Sequence, residues 1–151
     1  MYIFDGAMGT MLQAAGLEEG YCPELFNVER PEVVKNIHAQ YLQHGSDVIT
    51  TNTFGACGLK LEDYDLQDRV KEINIAAVKV AKEAIAEFKP SARVAGSMGP
   101  TGRFLQPLGN MSFDSIYDTY REQAEALIEG GVDFIIIETI IDVQEMRAAL
   151  L

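Results

Sequence analysis

The sequence predicts an α/β fold of four consecutive strand–helix units, which is half of a (β/α)8 TIM-type barrel. Short apolar runs alternate with longer segments of helical periodicity, and every apolar run ends in glycine or polar residues. Four parallel strands with helical crossovers could form an open sheet or part of a barrel. Polar residues after all four strands, rather than at one switch point, favour the barrel. Eight units take roughly 250 residues, so the 151 residues are predicted to be one domain, half of a barrel, over residues 1–151.

The first two units are predicted from changes in hydrophobic period. Residues 2–4 form a short apolar strand, and from Pro31 the apolar residues recur at helical intervals until Gly45. Proline is favoured in the first turn of a helix and glycine just beyond its end. Residues 47–51 are rich in β-branched side chains and form the second strand. A long helix with one apolar stripe is predicted over residues 65–89.

The last two units follow the same pattern. Residues 93–97 form the third strand, and the next helix begins after Ser112, a favourable N-cap, and ends at glycines 130–131. The fourth strand, VDFIIIET at residues 132–139, is as apolar as a parallel strand covered on both faces. A helix over residues 142–151 opens with a capping box, an aspartate followed three residues later by a glutamate.

Charge and cysteine content exclude several classes of protein. Lysine and arginine number 12 against 23 aspartates and glutamates, and the net charge of -11 repels nucleic acid and anionic membranes. No apolar run is long enough to span a membrane, and the N-terminus lacks the pattern of a signal peptide. Two cysteines, Cys22 and Cys57, are too few for a disulfide framework. A cytoplasmic protein without nucleic-acid or membrane partners is predicted.

Residues able to contact a ligand follow each predicted strand. They are Asp5 and Gly6, then Asn52 and Thr53, then Gly99, Pro100 and Thr101, and finally Glu138 and Thr139. In a barrel these four clusters share one rim, at the carboxyl ends of the strands, where active sites lie. From the local sequence alone, Asp5 could instead cap the turn before Gly6, and Asn52 could satisfy buried backbone groups.

Four stretches of the chain resemble the barrel of the homocysteine S-methyltransferase family. They are DGAMGTMLQ, the segment from ERPEVV through IHAQYLQHGSDVITTNTFGA, then GSMGPTGR, and GVDFIIIETIID. The chain is most similar to the homocysteine-binding module of the cobalamin-dependent methionine synthases. The resemblance covers nearly the whole chain but only the first half of that barrel.

The resemblance implies a substrate, L-homocysteine, and a reaction, methyl transfer to its thiol to give methionine. Glu138 matches the family glutamate that contacts the substrate ammonium, and Asp5 matches the aspartate of the first motif. The implied substrate-binding set is Asp5, Gly6, Asn52, Thr53, Phe54, Glu138 and Thr139. No residue is assigned a catalytic role.

The resemblance also implies cofactors. In the complete barrel, zinc lowers the pKa of the homocysteine thiol, and in the closest relatives methylcobalamin carries the methyl group from another module. The family's zinc ligands are cysteines on later strands that have no counterpart here, so no metal ligand is predicted in this chain. The chain alone is therefore expected to be inactive. A metal site formed by Cys22 and Cys57 with His38 or His44 is disfavoured. His38 is expected instead to be a packed histidine with one ring nitrogen hydrogen-bonded.

The glycine-rich stretch GSMGPTGR, residues 96–103, has two possible functions. Its glycines and Arg103 suggest a phosphate cradle, but the pattern lacks the GxxxxGK[ST] signature. The preferred interpretation is a backbone that lets substrate approach the third strand closely, and a plain loop is the alternative.

A half-barrel leaves the edges of its first and fourth strands unpaired, and such edges favour pairing with another chain. The partner could be a second copy in a homodimer, or the missing C-terminal half-barrel; alternatively the 151 residues are a piece of a longer chain. An alternative function is accordingly a non-catalytic half-barrel that assembles with itself or a partner. A third hypothesis is an enzyme acting on another small amino acid or thiol.

Overall fold

A computed structural model describes all 151 residues and contains a three-stranded parallel sheet. The strands are β1 (Val48–Thr50), β2 (Arg93–Met98) and β3 (Phe134–Ile137), in that order across the sheet. β2 is central, with Ile49 beside Val94 and Gly96 beside Ile135. The predicted parallel α/β fold is confirmed at this level.

The predicted first strand is reduced to one bridge, between Phe4 and Val48. The Ile3 carbonyl accepts from the Val48 N–H at 3.1 Å, and the Asp5 N–H donates to the Val48 carbonyl at 3.0 Å. The next donor of β1, the Thr50 N–H, is bound by the Asp5 carboxylate at 2.8 Å instead of by a main-chain carbonyl. The neighbour and direction of this segment agree with the prediction, but a side chain ends the ladder early.

Seven α-helices accompany the sheet. They are α1 (Gly9–Ala14), α2 (Phe26–Glu29), α3 (Pro31–Gln43), α4 (Gly58–Leu61), α5 (Val70–Phe88), α6 (Phe113–Gly130) and α7 (Val143–Leu150). α5 packs between α3 and α6, and α6 also packs on α7. Ile49 and Val94 of the sheet join a buried cluster with Leu42 of α3 and Ala84 of α5. None of the helices is both long and apolar enough to cross a membrane.

The helix predicted over residues 65–89 begins five residues later, at Val70. Asp65 has a φ of +57°, in the left-handed region, and two short 3₁₀ turns precede the helix. Other ends agree with the prediction: the Ser112 hydroxyl accepts from the Ser115 N–H at 3.1 Å, and Gly131 adopts a φ of +86° after α6.

The strand β3 is covered on one face only, which corrects the prediction of a strand covered on both. All of its residues are half-buried. Ile135 packs against the helix-side core, whereas Phe134 makes an edge-to-face contact with Phe4 at 6.1 Å between ring centroids. Ile136 borders an open cavity. The apolar side chains of β3 therefore lie on two faces of the sheet. The face toward the helices is covered, and the face toward the cavity is open in this chain.

Candidate functional site

An open cavity of about 580 Å³ lies at the carboxyl ends of the strands. Five of the seven predicted site residues line it: Asp5, Gly6, Asn52, Phe54 and Glu138. They come from three separate segments of the chain, after the Phe4 bridge, after β1 and after β3. Positions distant in sequence meet here because parallel strands present their carboxyl ends at the same edge.

Three carboxylates line the cavity, those of Asp5, Glu24 and Glu138, and no lysine, arginine or histidine does. Glu24 is buried and Asp5 and Glu138 are half-buried, and carboxylates in such surroundings without a cation nearby favour a ligand that carries positive charge. Glu24 was not among the predicted site residues. It lies in the short 3₁₀ helix Pro23–Leu25, and no motif in the local sequence distinguishes it from a surface glutamate.

Glu138 has one carboxylate oxygen that is not engaged by the protein. The Ser97 hydroxyl donates to Oε1 at 2.7 Å, and Oε2 has no hydrogen-bond partner. The Glu138 N–H continues the ladder of β3 by donating to the Met98 carbonyl at 3.0 Å. The backbone and one oxygen are thus fixed, and the other oxygen is available to a ligand.

Asp5 has both carboxylate oxygens bonded to Thr50. Oδ2 accepts from the Thr50 N–H at 2.8 Å, and Oδ1 accepts from the Thr50 hydroxyl at 3.0 Å. Burial raises the pKa of Asp5 to about 6, the negative charge of Glu138 adds to this rise, and the bonds from Thr50 oppose it. A group with this pKa changes charge just below neutral pH.

Thr53 and Thr139, the other two predicted substrate-binding residues, do not line the cavity. The Thr53 hydroxyl is fully buried and donates to the Ser97 carbonyl at 2.7 Å, so it ties the loop after β1 to β2. Thr139 is exposed and has a φ of +62°, where the chain turns after Glu138. Both positions serve the backbone.

Asn52 borders the cavity but uses its amide for the backbone, as the alternative interpretation has it. Its Nδ2 donates to the Pro23 carbonyl at 2.8 Å, and the side chain is buried. The Nδ2 group of Asn52 therefore satisfies a backbone carbonyl.

The glycine-rich stretch makes room for Phe54 and not for substrate. A Cβ at Gly99 would lie 2.7 Å from both the Phe54 ring and the Phe54 carbonyl oxygen. Arg103 pairs with Asp63 at 2.7 Å and with Glu62 at 3.6 Å, so its guanidinium is directed to α4 and its following turn. The prediction that glycine lets substrate approach the third strand is therefore wrong at Gly99, because the group that approaches it closely is Phe54 of the same chain.

Replacing Gly99 by alanine should destabilise the protein by about 1–2 kcal/mol, because overpacking forces the backbone at Phe54 to move. Urea unfolding measures this change. Gly58→Ala is the matched control, since a Cβ there meets only ordinary contacts of 3.5 Å or more. Equal stability of the two variants would contradict the close approach at Gly99.

Glu145 was assigned to a capping box, but it is buried and does not cap α7. The Asp142 side chain caps this helix by accepting from the Gln144 N–H at 2.7 Å. Glu145 Oε1 instead accepts from the Thr101 N–H at 2.8 Å and from the Tyr120 hydroxyl at 3.1 Å. Its carboxylate thus fixes the loop after β2 against α6.

The two cysteines do not fit a metal site. Burial raises the pKa of Cys22 to about 12 and that of Cys57 to about 11, which disfavours the thiolate that a metal requires. No three histidine, cysteine or acidic side chains are grouped so as to hold a metal ion. His38 is fully buried with neither ring nitrogen bonded, so the expected satisfied nitrogen is a wrong prediction.

The sequence model of homocysteine S-methyltransferases matches residues 2–151. The chain belongs to the homocysteine S-methyltransferase family. It is 40% identical over 157 aligned residues to a methionine synthase of Mycobacterium tuberculosis and 38% identical to one of Mycobacterium leprae. Among solved structures, it superposes on the homocysteine methyltransferase MmuM from Escherichia coli with a TM-score of 0.81 and 27% identity, in both the oxidized and the metallated form.

These family members are longer than the chain. The alignments cover 97% of the chain but 13% of each methionine synthase. The superposition on the oxidized form of MmuM covers 98% of the chain and 56% of that enzyme. The chain thus spans about half the length of this homocysteine methyltransferase and a smaller part of the methionine synthases.

Proposed function

We propose that this chain supplies the amino acid end of the homocysteine site in a methionine synthase type of homocysteine S-methyltransferase. In that reaction the homocysteine sulfur loses its proton and takes a methyl group from a donor, which gives methionine. The family membership supports the substrate, and the match of 98% of the chain to 56% of MmuM supports a half-barrel. The chain alone is proposed to be inactive, because it has no group of side chains that fits a zinc ion. In the complete enzyme, zinc and methylcobalamin would be held by residues that do not belong to this chain.

The observation that carries the proposal is the free oxygen of Glu138 in a cavity lined by carboxylates. A substrate ammonium placed there would gain a charge-assisted hydrogen bond to Oε2 and the field of Asp5. The substrate carboxylate requires donors, and the N–H groups of Gly6 and Phe54, two lining residues, donate to no group of the chain. The cavity therefore offers both kinds of partner that an α-amino acid needs.

Calorimetry with two ligands tests the ammonium site. L-homocysteine is compared with 4-mercaptobutanoate, which has the same thiol and carboxylate but no ammonium group. We expect at least tenfold weaker binding of 4-mercaptobutanoate, since one charge-assisted bond is lost. Equal affinities would show that the carboxylates do not bind an ammonium group.

Binding of L-homocysteine should strengthen as the pH rises through about 6. Below that pH Asp5 is protonated and gives no attraction to an ammonium, and above it the carboxylate is ionised. Dissociation constants measured from pH 5 to 7.5 test this, with Asp5→Asn as the comparison. Asp5→Asn should bind weakly throughout and lose this inflection; an unchanged inflection would assign the titration to another group.

A second candidate function is a non-catalytic half-barrel that assembles with itself or with a partner chain. Exposed apolar side chains between β3 and the start of α7 favour it, since Ile141 is 85% exposed and Val143 73% exposed. Light scattering distinguishes the two functions when combined with calorimetry. A dimer of the 16.6 kDa chain that does not bind homocysteine would support assembly alone.

A further inference from the structure

The segment of residues 52–56, called here the rim segment, joins β1 to α4 and borders the cavity. Phe54, which is 40% exposed, presents its ring there. Four buried side chains from other parts of the chain bind the main chain of the rim segment. Their bonds are from Asn27 Nδ2 to the Asn52 carbonyl at 2.7 Å, from Gln123 Nε2 to the Thr53 carbonyl at 2.8 Å, from the Gly55 N–H to Glu24 Oε1 at 2.7 Å, and from Asn74 Nδ2 to the Ala56 carbonyl at 2.9 Å.

These side chains are almost completely removed from solvent. Asn74 and Gln123 are 0% exposed, and Glu24 is 6% exposed. Nε2 of Gln123 is surrounded by acceptors only: beyond the Thr53 carbonyl, Asn74 Oδ1 lies at 3.4 Å and the Ser97 carbonyl at 3.5 Å. This environment fixes the orientation of the amide, because a flipped amide would place its oxygen among three other oxygens.

The arrangement is costly for folding. The oxygens Oε1 of Gln123 and Oδ1 of Asn27 are buried without a partner. Each of these two amides thus satisfies a main-chain carbonyl with its N–H₂ group and leaves its own oxygen buried without a partner. What they achieve is a fixed main chain in a segment that has no regular secondary structure.

The main chain so fixed keeps two free donors, the N–H groups of Asn52 and Phe54. In residues 53–56 the N–H groups of Thr53, Gly55 and Ala56 all have acceptors in the chain, and that of Phe54 has none. The bonds from α5 and α6 therefore set the position of the Phe54 ring and leave its N–H available at the edge of the cavity.

We propose that Gln123 and Asn74 are positioning residues, which hold the rim segment in its ligand-binding conformation before the ligand arrives. The proposal rests on homocysteine being the ligand, as inferred above. If only a fraction of molecules has the competent conformation, the observed dissociation constant rises in inverse proportion to that fraction. Neither residue borders the cavity, so each acts through the backbone it binds.

Gln123→Met tests this proposal in the protein at its full natural length. Methionine keeps the approximate size and removes the donor. We expect faster hydrogen exchange in residues 52–56 without ligand and an approximately tenfold higher dissociation constant for L-homocysteine. Ile116→Val is the control, because it removes one buried methylene from the same helix and the apolar cluster of Ile116 contains no residue of the rim segment.

Gln123→Glu is the second variant, for the case that Gln123→Met does not fold. A buried glutamic acid among oxygens is protonated and can donate one O–H to the Thr53 carbonyl, so its affinity should lie closer to that of the wild type. The positioning role would be overturned if hydrogen exchange in residues 52–56 were unchanged in a folded Gln123→Met. It would also be overturned if both variants kept the exchange rates and the L-homocysteine affinity of the wild type. Failure of the wild type to bind homocysteine would overturn the proposed function instead, while the exchange measurement in the ligand-free protein still tests the positioning residues.

Discussion

Glu138→Gln is expected to weaken L-homocysteine binding by roughly 10- to 100-fold, the equivalent of about 1.5–3 kcal/mol for a hydrogen bond to a charged group. Glutamine keeps the size of the side chain and an oxygen that can accept from the Ser97 hydroxyl. It removes the negative charge and replaces one oxygen with an N–H₂ group that repels an ammonium. The loss should therefore appear in binding and not in folding.

The comparison ligand makes this test specific. Binding of 4-mercaptobutanoate should change less than twofold in Glu138→Gln, because this ligand has no ammonium to lose contact with. Glu125→Gln is the matched control, since Glu125 lies on the exposed face of α6 away from the cavity. If both ligands lose affinity equally, Glu138 supports the shape of the site and does not bind the ammonium.

The sequence could predict the position of Glu138 because the relevant signal is local. An apolar strand followed by a carboxylate places that carboxylate at the end of the sheet, whatever packs around it. The same logic places Asp5 and Asn52 at this edge, and the cavity contains all three. The same reasoning does not place Thr53 correctly. Whether the side chain of a residue after a strand faces the cavity or the interior depends on the turn that follows.

The contacts that support the site could not be predicted from the sequence. Gln123 lies on α6, 70 positions away from the carbonyl that it binds, and nothing in its helical context distinguishes it from a surface glutamine. Glu145 occupies the position of a capping box, and the local motif gives the wrong partner because Thr101 and Tyr120 offer three buried donors, one N–H and two hydroxyls. Tertiary packing decides such cases over local preference.

The second large effect concerns the pH dependence of stability and involves His38. Burial lowers the pKa of His38 from 6.5 to about 4, since neither ring nitrogen has a partner that would stabilise the charge. Above pH 6.5 the group is neutral in both states and has no effect. As the pH falls from 6.5 to 4 the unfolded state takes up the proton first, so the fold loses stability on the order of 3 kcal/mol.

Asp5 acts in the opposite direction over nearly the same range. Its pKa is raised from 3.8 to about 6, so the folded state takes up the proton first and the fold gains stability as the pH falls from 6 to 3.8. The two contributions largely cancel in the wild type. Removing either group should therefore reveal the other.

Urea unfolding from pH 4 to 7 tests the cancellation with three variants. Relative to the wild type, His38→Leu should gain stability as the pH falls, and Asp5→Asn should lose stability over the same range. Ile37→Val, a buried change on the same helix as His38, should shift the whole curve by a constant amount because it removes no titrating group. The difference curves isolate each residue because all other carboxylates titrate alike in the variant and the wild type. A flat difference curve for His38→Leu would mean that His38 finds a hydrogen-bond partner and titrates near its ordinary pKa.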